Sequence, residues 1–344
     1  MKPAGAATFT GLVDLAGRDF GGKVLFTSDD FFASASRMLE PGRAVFIEGK
    51  YTDRGKWMDG WESRRKRTPG HDYSLLELGS PGTLLGFDID TSHFSGNQPA
   101  FASVDGLHAP RSTPLDALER ASWTELLPES PLRPDSQNLF AAVVAAPVTH
   151  LRLNIFPDGG VARFRAFGRV APSWAERDVD ELAAAHVAAD WVDLAALKNG
   201  GLCLACSDAH FGPMNHLLLP GRAADMGGGW ETRRRRGPGY DWVLVKLAAR
   251  GQVRCAELDT HHFKGNYPDR CALEGIDAPD ARITALLESR DFRPLLPETK
   301  LEADTRHFFG PAELGASGSV SHVRLSIFPD GGVSRLRLWG TRDG

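Results

Sequence analysis

Two short blocks carry most of the polar chemistry in this 344-residue sequence, and each occurs twice. The first is Gly60-Trp61-Glu62-Ser63-Arg64-Arg65, copied as Gly229-Trp230-Glu231-Thr232-Arg233-Arg234. It sets an indole, a carboxylate and two guanidinium groups within a few residues, a set suited to a planar, polar, anionic ligand. It would serve equally as an ion-paired turn that ties two loops together. The second block is Asp90-Thr91-Ser92-His93-Phe94-Ser95-Gly96-Asn97, copied as Asp259-Thr260-His261-His262-Phe263-Lys264-Gly265-Asn266. Asp90 and His93, like Asp259 and His262, follow an apolar run, so they fall where a strand ends in a loop, a common place for sites. An aspartate and an imidazole can exchange protons near neutral pH. The same side chains could instead hydrogen-bond the loop backbone around Gly96 and Gly265.

A third block, Thr149 to Gly160, recurs as Ser321 to Gly332 and ends in Phe-Pro-Asp-Gly-Gly both times. If Pro157-Asp158-Gly159-Gly160 is a four-residue hairpin loop, Asn154 faces Arg163, Leu153 faces Phe164 and Arg152 faces Arg165. One face would be greasy and the other cationic, and Arg324 against Arg337 would repeat the pattern. Opposed like charges destabilise a strand pair unless solvent or an anion lies between them. Two guanidinium forks could hold a carboxylate. The alternative is a solvated face with acidic neighbours from elsewhere.

These copies stand in register. The Trp and Asp-Thr blocks repeat at an offset of 230 − 61 = 169, Ser28-Asp29 and Pro41-Gly42-Arg43 at 179, and the terminal block at 172. The difference between 179 and 169 puts ten extra residues in the first copy, between 44 and 60. Two copies of this length indicate duplicated domains. The expected organisation is a first repeat over 1–170, a linker over 171–190 and a second repeat over 191–344. The linker is alanine-rich from Arg177 to Asp190 and follows Pro172 and Ser173, which suits a short helix. Within the first repeat, Tyr73 to Leu78, Thr83 to Asp90, Phe140 to Ala145, Leu151 to Phe156 and Val161 to Phe167 read as short strands between Gly and Pro turns. The expected fold is all-β, two antiparallel sandwiches.

Composition narrows the function. Apolar residues at 42%, charged residues at 24% and a net charge of −4 describe an ordinary globular chain with no sign of a nucleic-acid partner. No run of about 18 apolar residues occurs, and no apolar segment follows Met1-Lys2-Pro3-Ala4-Gly5, so a cytoplasmic protein without a membrane partner is expected. Cys203 and Cys206 form a C-x-x-C that could bind zinc or cycle redox states. The first copy has Val24, Thr27, Gly86 and Ala102 where the second has its four cysteines, so buried, reduced thiols on strands are the better expectation. There is no H-E-x-x-H, dense His and carboxylate cluster, P-loop, dinucleotide glycine fingerprint or G-x-S-x-G elbow. Neither a metal nor a cofactor is expected.

Taken together the blocks resemble the allantoicase (allantoate amidinohydrolase) family. The features are Gly-Trp-Glu-(Ser/Thr)-Arg-Arg, Asp-Thr-(Ser/His)-His-Phe-(Ser/Lys)-Gly-Asn and His-(Leu/Val)-Arg-Leu-x-Ile-Phe-Pro-Asp-Gly-Gly, in the same order in both halves. The resemblance implies two jelly-roll domains similar to galactose-binding modules, and hydrolysis of allantoate to ureidoglycolate and urea. Allantoate has a carboxylate and two ureido groups on one carbon, so arginine, an acid and a base suffice. On this reading Arg64, Arg65, Arg152, Arg233, Arg234 and Arg324 include the carboxylate clamp. Asp90, His93, Asp259 and His262, with Glu62 and Glu231, are the candidates for proton transfer. Trp61 and Trp230 would stack on a planar urea, and Asn97 and Asn266 would contact substrate. The second copy stands nearer the family's pattern around Asp-Thr-x-His-Phe-Lys-Gly-Asn, which favours it as the working one. Homo-oligomers are expected. The rival readings are a non-catalytic tandem module for carbohydrate or another small ligand, and a different hydrolase or lyase of a ureido acid.

Overall fold

The computed structural model describes residues 9–172, 174, 177–315 and 318–343. The chain divides into two compact units, Met1–Pro172 and Ser173–Gly344. In the first unit the strands Val13–Asp14, Arg163–Val170, Asp72–Asp90, Pro147–Phe156, Phe101–Leu107 and Thr124–Pro131 are hydrogen-bonded in that order, with Lys23–Thr27 and Leu139–Ala141 added along Asp72–Asp90. The second unit repeats the arrangement around Asp241–Asp259.

The strand Asp72–Asp90 organises the unit. Its first part, Asp72 to Glu77, pairs with Ile155 to His150, and its last part, Gly82 to Asp90, pairs with Val170 to Arg163. One strand therefore serves both layers and turns the corner between them near Gly79 and Gly82. A β-carbon at Gly79 would come within 2.4 Å of Phe20 O, and one at Gly82 within 2.4 Å of a Leu15 methyl, so side chains are excluded where the layers meet. Leu75, Leu76, Leu78, Leu84, Phe87 and Ile89 are buried, as are Leu151, Leu153, Ile155 and Phe164 on the flanking strands. Each such side chain contributes about 1.5–3 kcal/mol of apolar burial.

This geometry corrects the hairpin. Pro147–Phe156 and Arg163–Val170 do not pair with each other, since Asp72–Asp90 lies between them and pairs with both. Leu153 sits opposite Ser74 and Phe164 opposite Ile89, and Arg152 and Arg165 do not face one another. Both flanking strands carry apolar residues that gain more from the long central strand than from a two-strand ribbon. The two short runs around Pro81 are one strand of 19 residues, and Phe101–Leu107 and Thr124–Pro131 are strands that alternation did not reveal.

The linker helix is shorter than expected, Glu181–Ala184, with Asp180 Oδ1 accepting from Ala183 N–H at 2.9 Å as its cap. Ser173, like the first eight residues, lies outside the described ones. All four cysteines are free and on strands. Burial pushes the Cys255 thiol up to about 11 and that of Cys271 to about 12, which leaves both inert at neutral pH.

Candidate functional site

The three repeated blocks meet at one end of each unit. Trp61 and Glu62 pair with Val161 and Gly160. Gly160 N–H donates to Asn97 O at 2.8 Å, Ser63 N–H to Gly159 O at 3.2 Å, and Lys66 N–H to Asp158 Oδ2 at 2.8 Å. The second unit repeats this with Gly332 N–H to Asn266 O at 2.8 Å and Arg235 N–H to Asp330 Oδ2 at 2.7 Å. A β-carbon on Gly160 would lie 1.9 Å from the Phe94 ring, and one on Gly332 the same distance from Phe263. The Gly-Gly and Phe of the motifs are therefore architecture, holding the loops close enough for their polar neighbours to meet.

Two of those neighbours do meet. Asn97 Nδ2 donates to Glu62 Oε1 at 2.8 Å, and Asn266 Nδ2 to Glu231 Oε1 at 2.5 Å. Burial raises the Glu62 carboxyl above the usual carboxylate range, and the Asn97 bond only partly opposes it. Beside this pair Arg64 and Arg233 are spent on loop closure: Arg64 holds Asp29 at 2.6 Å and Arg233 holds Asp208 at 3.0 Å. Burial works to raise Asp29, but the bonds from Arg64 outweigh it and keep the carboxylate ionised. Arg65 and Arg234 are exposed and, among the described residues, have no acidic or hydrogen-bonding partner, so their guanidinium groups remain available to an anion.

Trp61 and Trp230 are not a stacking platform. Both are 0% exposed, with the indole N–H donating at 2.8 Å to Asp29 O and Asp208 O respectively. An indole at the start of a strand that closes on the Gly-Gly turn gains more by core burial than at a wet surface. Arg152 and Arg324 also stand apart. Arg152 lies 2.9 Å from Asp105 and Arg324 2.8 Å from Glu274, each on a neighbouring strand. Arg152 is four residues before the end of its strand at Phe156, about 13 Å from the loops. These arginines have the acidic neighbours of the alternative reading, and the two-fork clamp does not form.

Asp90 and Asp259 are buried at the strand ends and accept from Ser92 N–H at 2.8 Å and His261 N–H at 2.9 Å. His93 and His262 adopt left-handed backbone, φ 70 and 69, fixed by Asp135 and Asp304 accepting from their N–H groups at 2.7 Å. Their rings reach backbone, His93 Nε2 to Ala44 O at 3.2 Å and His262 Nε2 to Ala223 O at 3.0 Å. The imidazoles thus pin the loop that follows Arg43 or Arg222.

Two further acidic residues here, Asp88 and Asp59, are not among the site candidates of the sequence. Asp88 is buried; its Oδ2 accepts from Gln137 Nε2 at 2.7 Å and its Oδ1 has no partner among the described residues. Burial lifts it to about 6, with Asp90 adding to the rise and Gln137 and Arg165 opposing it. Asp59, from the first copy's extra segment, lies 2.7 Å from buried Arg163. Burial would raise Asp59, but Arg163 and Val45 N–H hold it below the usual range. The signal for Asp88 was its spacing from Asp90, since residues two apart on a strand share a face. Among the described residues no three His, Cys, Asp or Glu side chains are placed to hold a metal ion.

Comparison with known proteins agrees with this duplicated end. A family model described as "Allantoicase repeat" matches residues 13–171 and again 192–343. The chain is 49% identical over 332 residues to a probable allantoicase of Burkholderia mallei, covering 96% of this chain and 95% of that protein. It is 49% identical over 337 residues to a probable allantoicase of Pseudomonas paraeruginosa, covering 97% of each. The solved allantoicase of Saccharomyces cerevisiae superposes with a TM-score of 0.79 at 33% identity, covering 96% of this chain and 93% of that one. This chain belongs to the allantoicase family.

Proposed function

We propose that this chain hydrolyses allantoate to ureidoglycolate and urea at the loop end of its β-sandwich, with Glu62 as the proton-transfer group. The observation that carries the assignment is the Glu62–Asn97 pair, which joins two distant motifs and holds a half-buried carboxyl whose pKa is raised. A carboxyl poised above its ordinary range spends more of its time protonated near neutral pH, as an acid catalyst must.

The reaction breaks one bond from the central carbon to a ureido nitrogen and makes one from that carbon to a water oxygen. Protonated Glu62 gives its proton to the departing nitrogen, so that neutral urea leaves. The resulting carboxylate takes a proton from the incoming water as the C–O bond forms, and Glu62 returns to its starting state. Asn97 keeps the carboxyl oriented through both steps. The four unpaired thiols suit a reducing compartment, and we assign the reaction to the cytoplasm.

Urea release from allantoate tests the assignment. Glu62→Gln should lower kcat by about 100-fold or more, whereas unchanged turnover in that variant would transfer the role elsewhere. Binding of allantoate with no turnover by the unaltered protein would favour the tandem binding module.

A further inference from the structure

The second unit supplies its own anions to a set of donors around its Gly221 turn. Asp178 Oδ2 accepts from Gly221 N–H at 2.6 Å and lies 3.5 Å from Arg337 Nη2. Asp180 Oδ2 lies 2.6 Å from Arg306 Nη1, while Arg306 Nε and Nη2 hold Glu257 at 2.9 and 2.6 Å. Arg222 completes the set, 3.3 Å from Asp259. Burial pushes the Asp180 carboxyl up, but Ala183 N–H, Arg306 and the charge of Arg222 together hold it low.

The first unit presents the counterparts of these donors. Gly42 and Arg43 stand for Gly221 and Arg222 at an offset of 179, Arg165 for Arg337 at 172, and Gln137 for Arg306 at 169. The turn keeps its left-handed glycine, with φ 74 at Gly42 and 62 at Gly221. Arg165 Nη2 donates to Glu40 O and Gly42 O at 2.6 and 2.8 Å, as Arg337 Nη2 does to Leu219 O and Gly221 O at 3.2 and 3.0 Å. The frame is therefore the same. What differs is the anion: among the described residues nothing accepts from Gly42 N–H, and Gly42 and Arg43 are both exposed. Arg43 reaches Gln137, which in turn donates to Asp88. Glu40, the carboxylate next to the turn, is paired with Arg18.

We propose that the Gly42, Arg43, Arg165 and Gln137 notch of the first unit binds the carboxylate of a small ureido acid, where the second unit holds its own Asp178 and Asp180. The ligand class rests on the proposed reaction, whereas the site rests on the comparison between the two copies. The notch borders the loop from Thr91 to Asn97, because His93 is bonded to Ala44 O beside Arg43 and Asn97 holds Glu62. An anion held there is linked through Gln137 to Asp88. The first unit is then the one open to substrate, and the second is closed by its linker.

Titration calorimetry with carbamoylglycine tests this, since that molecule has the carboxylate and one ureido group but no second one to expel. The unaltered protein should bind one molecule per chain, and Arg43→Ala should weaken binding at least tenfold. Asp178→Ala combined with Asp180→Asn, which keeps a capping side chain, should expose the second notch and raise the ratio to two. No binding by the unaltered protein, or equal binding by Arg43→Ala, would overturn the notch; a ratio still at one in the linker variant would overturn closure of the second unit. Allantoate turnover on the same samples separates the two proposals. Binding that follows Arg43 with no turnover in any sample would leave the notch and remove the hydrolase assignment, whereas equal allantoate turnover by Arg43→Ala and the unaltered protein would do the reverse.

Discussion

Asn97 donates a hydrogen bond to Glu62 across 2.8 Å, from a position 35 residues further along the chain, and Asn266 does the same for Glu231. The bond stabilises the carboxylate form, so its removal lets burial act unopposed on Glu62. If the protonated form is the one that works, activity falls as pH rises through the Glu62 pKa. Asn97→Ala should therefore move that limb of the kcat profile to higher pH and lower the maximum about tenfold. A limb that stayed in place would separate Glu62 from the titration.

Trp61 and Trp230 give a sharper test because the structure and the motif point to different roles. Trp61→Phe loses the indole bond to Asp29 O and part of its buried volume, which should cost about 1–3 kcal/mol in urea denaturation. KM for allantoate should stay within about twofold, as for any residue that binds no substrate. A large rise in KM with stability intact would restore the stacking role.

Asp88 links pH to stability. Its carboxyl is raised from 3.8 to about 6 in the folded chain, by burial first and then by Asp90, against Gln137 and Arg165. The folded state binds more protons than the unfolded one between these values, so stability is lost as pH rises through that window. Asp88→Asn stays neutral, and the loss between about pH 4 and pH 7 should shrink by roughly 1–2 kcal/mol. Asp14, also lifted to about 6 by burial, remains in both proteins and so does not confuse the comparison. Parallel pH curves for the two proteins would contradict the assignment.

Much of this was legible in the sequence. The duplication, the all-β class and the polar blocks followed from residue register, because two copies drift apart wherever a residue is free to change. The hairpin failed because counting outward from a turn presumes that the two arms pair, and no local pattern reveals that Asp72–Asp90 lies between them. The tryptophans misled for a related reason: an indole beside charged residues reads the same whether it faces solvent or core, and only the closure on Val161 decides. Asp88 and Gln137 were overlooked because the copies differ there, with Glu257 and Arg306 in the second. Looking for shared residues hides a site that one copy alone has kept open.

The central claim is that this protein cleaves a carbon–nitrogen bond of allantoate with one water and one recycled proton. Incubation with allantoate in 18O-labelled water, followed by mass spectrometry, tests it most directly. Urea and ureidoglycolate should appear in equal amounts, with the label in the new hydroxyl of ureidoglycolate and none in urea. Label in urea, or consumption of ureidoglycolate with allantoate left intact, would contradict it.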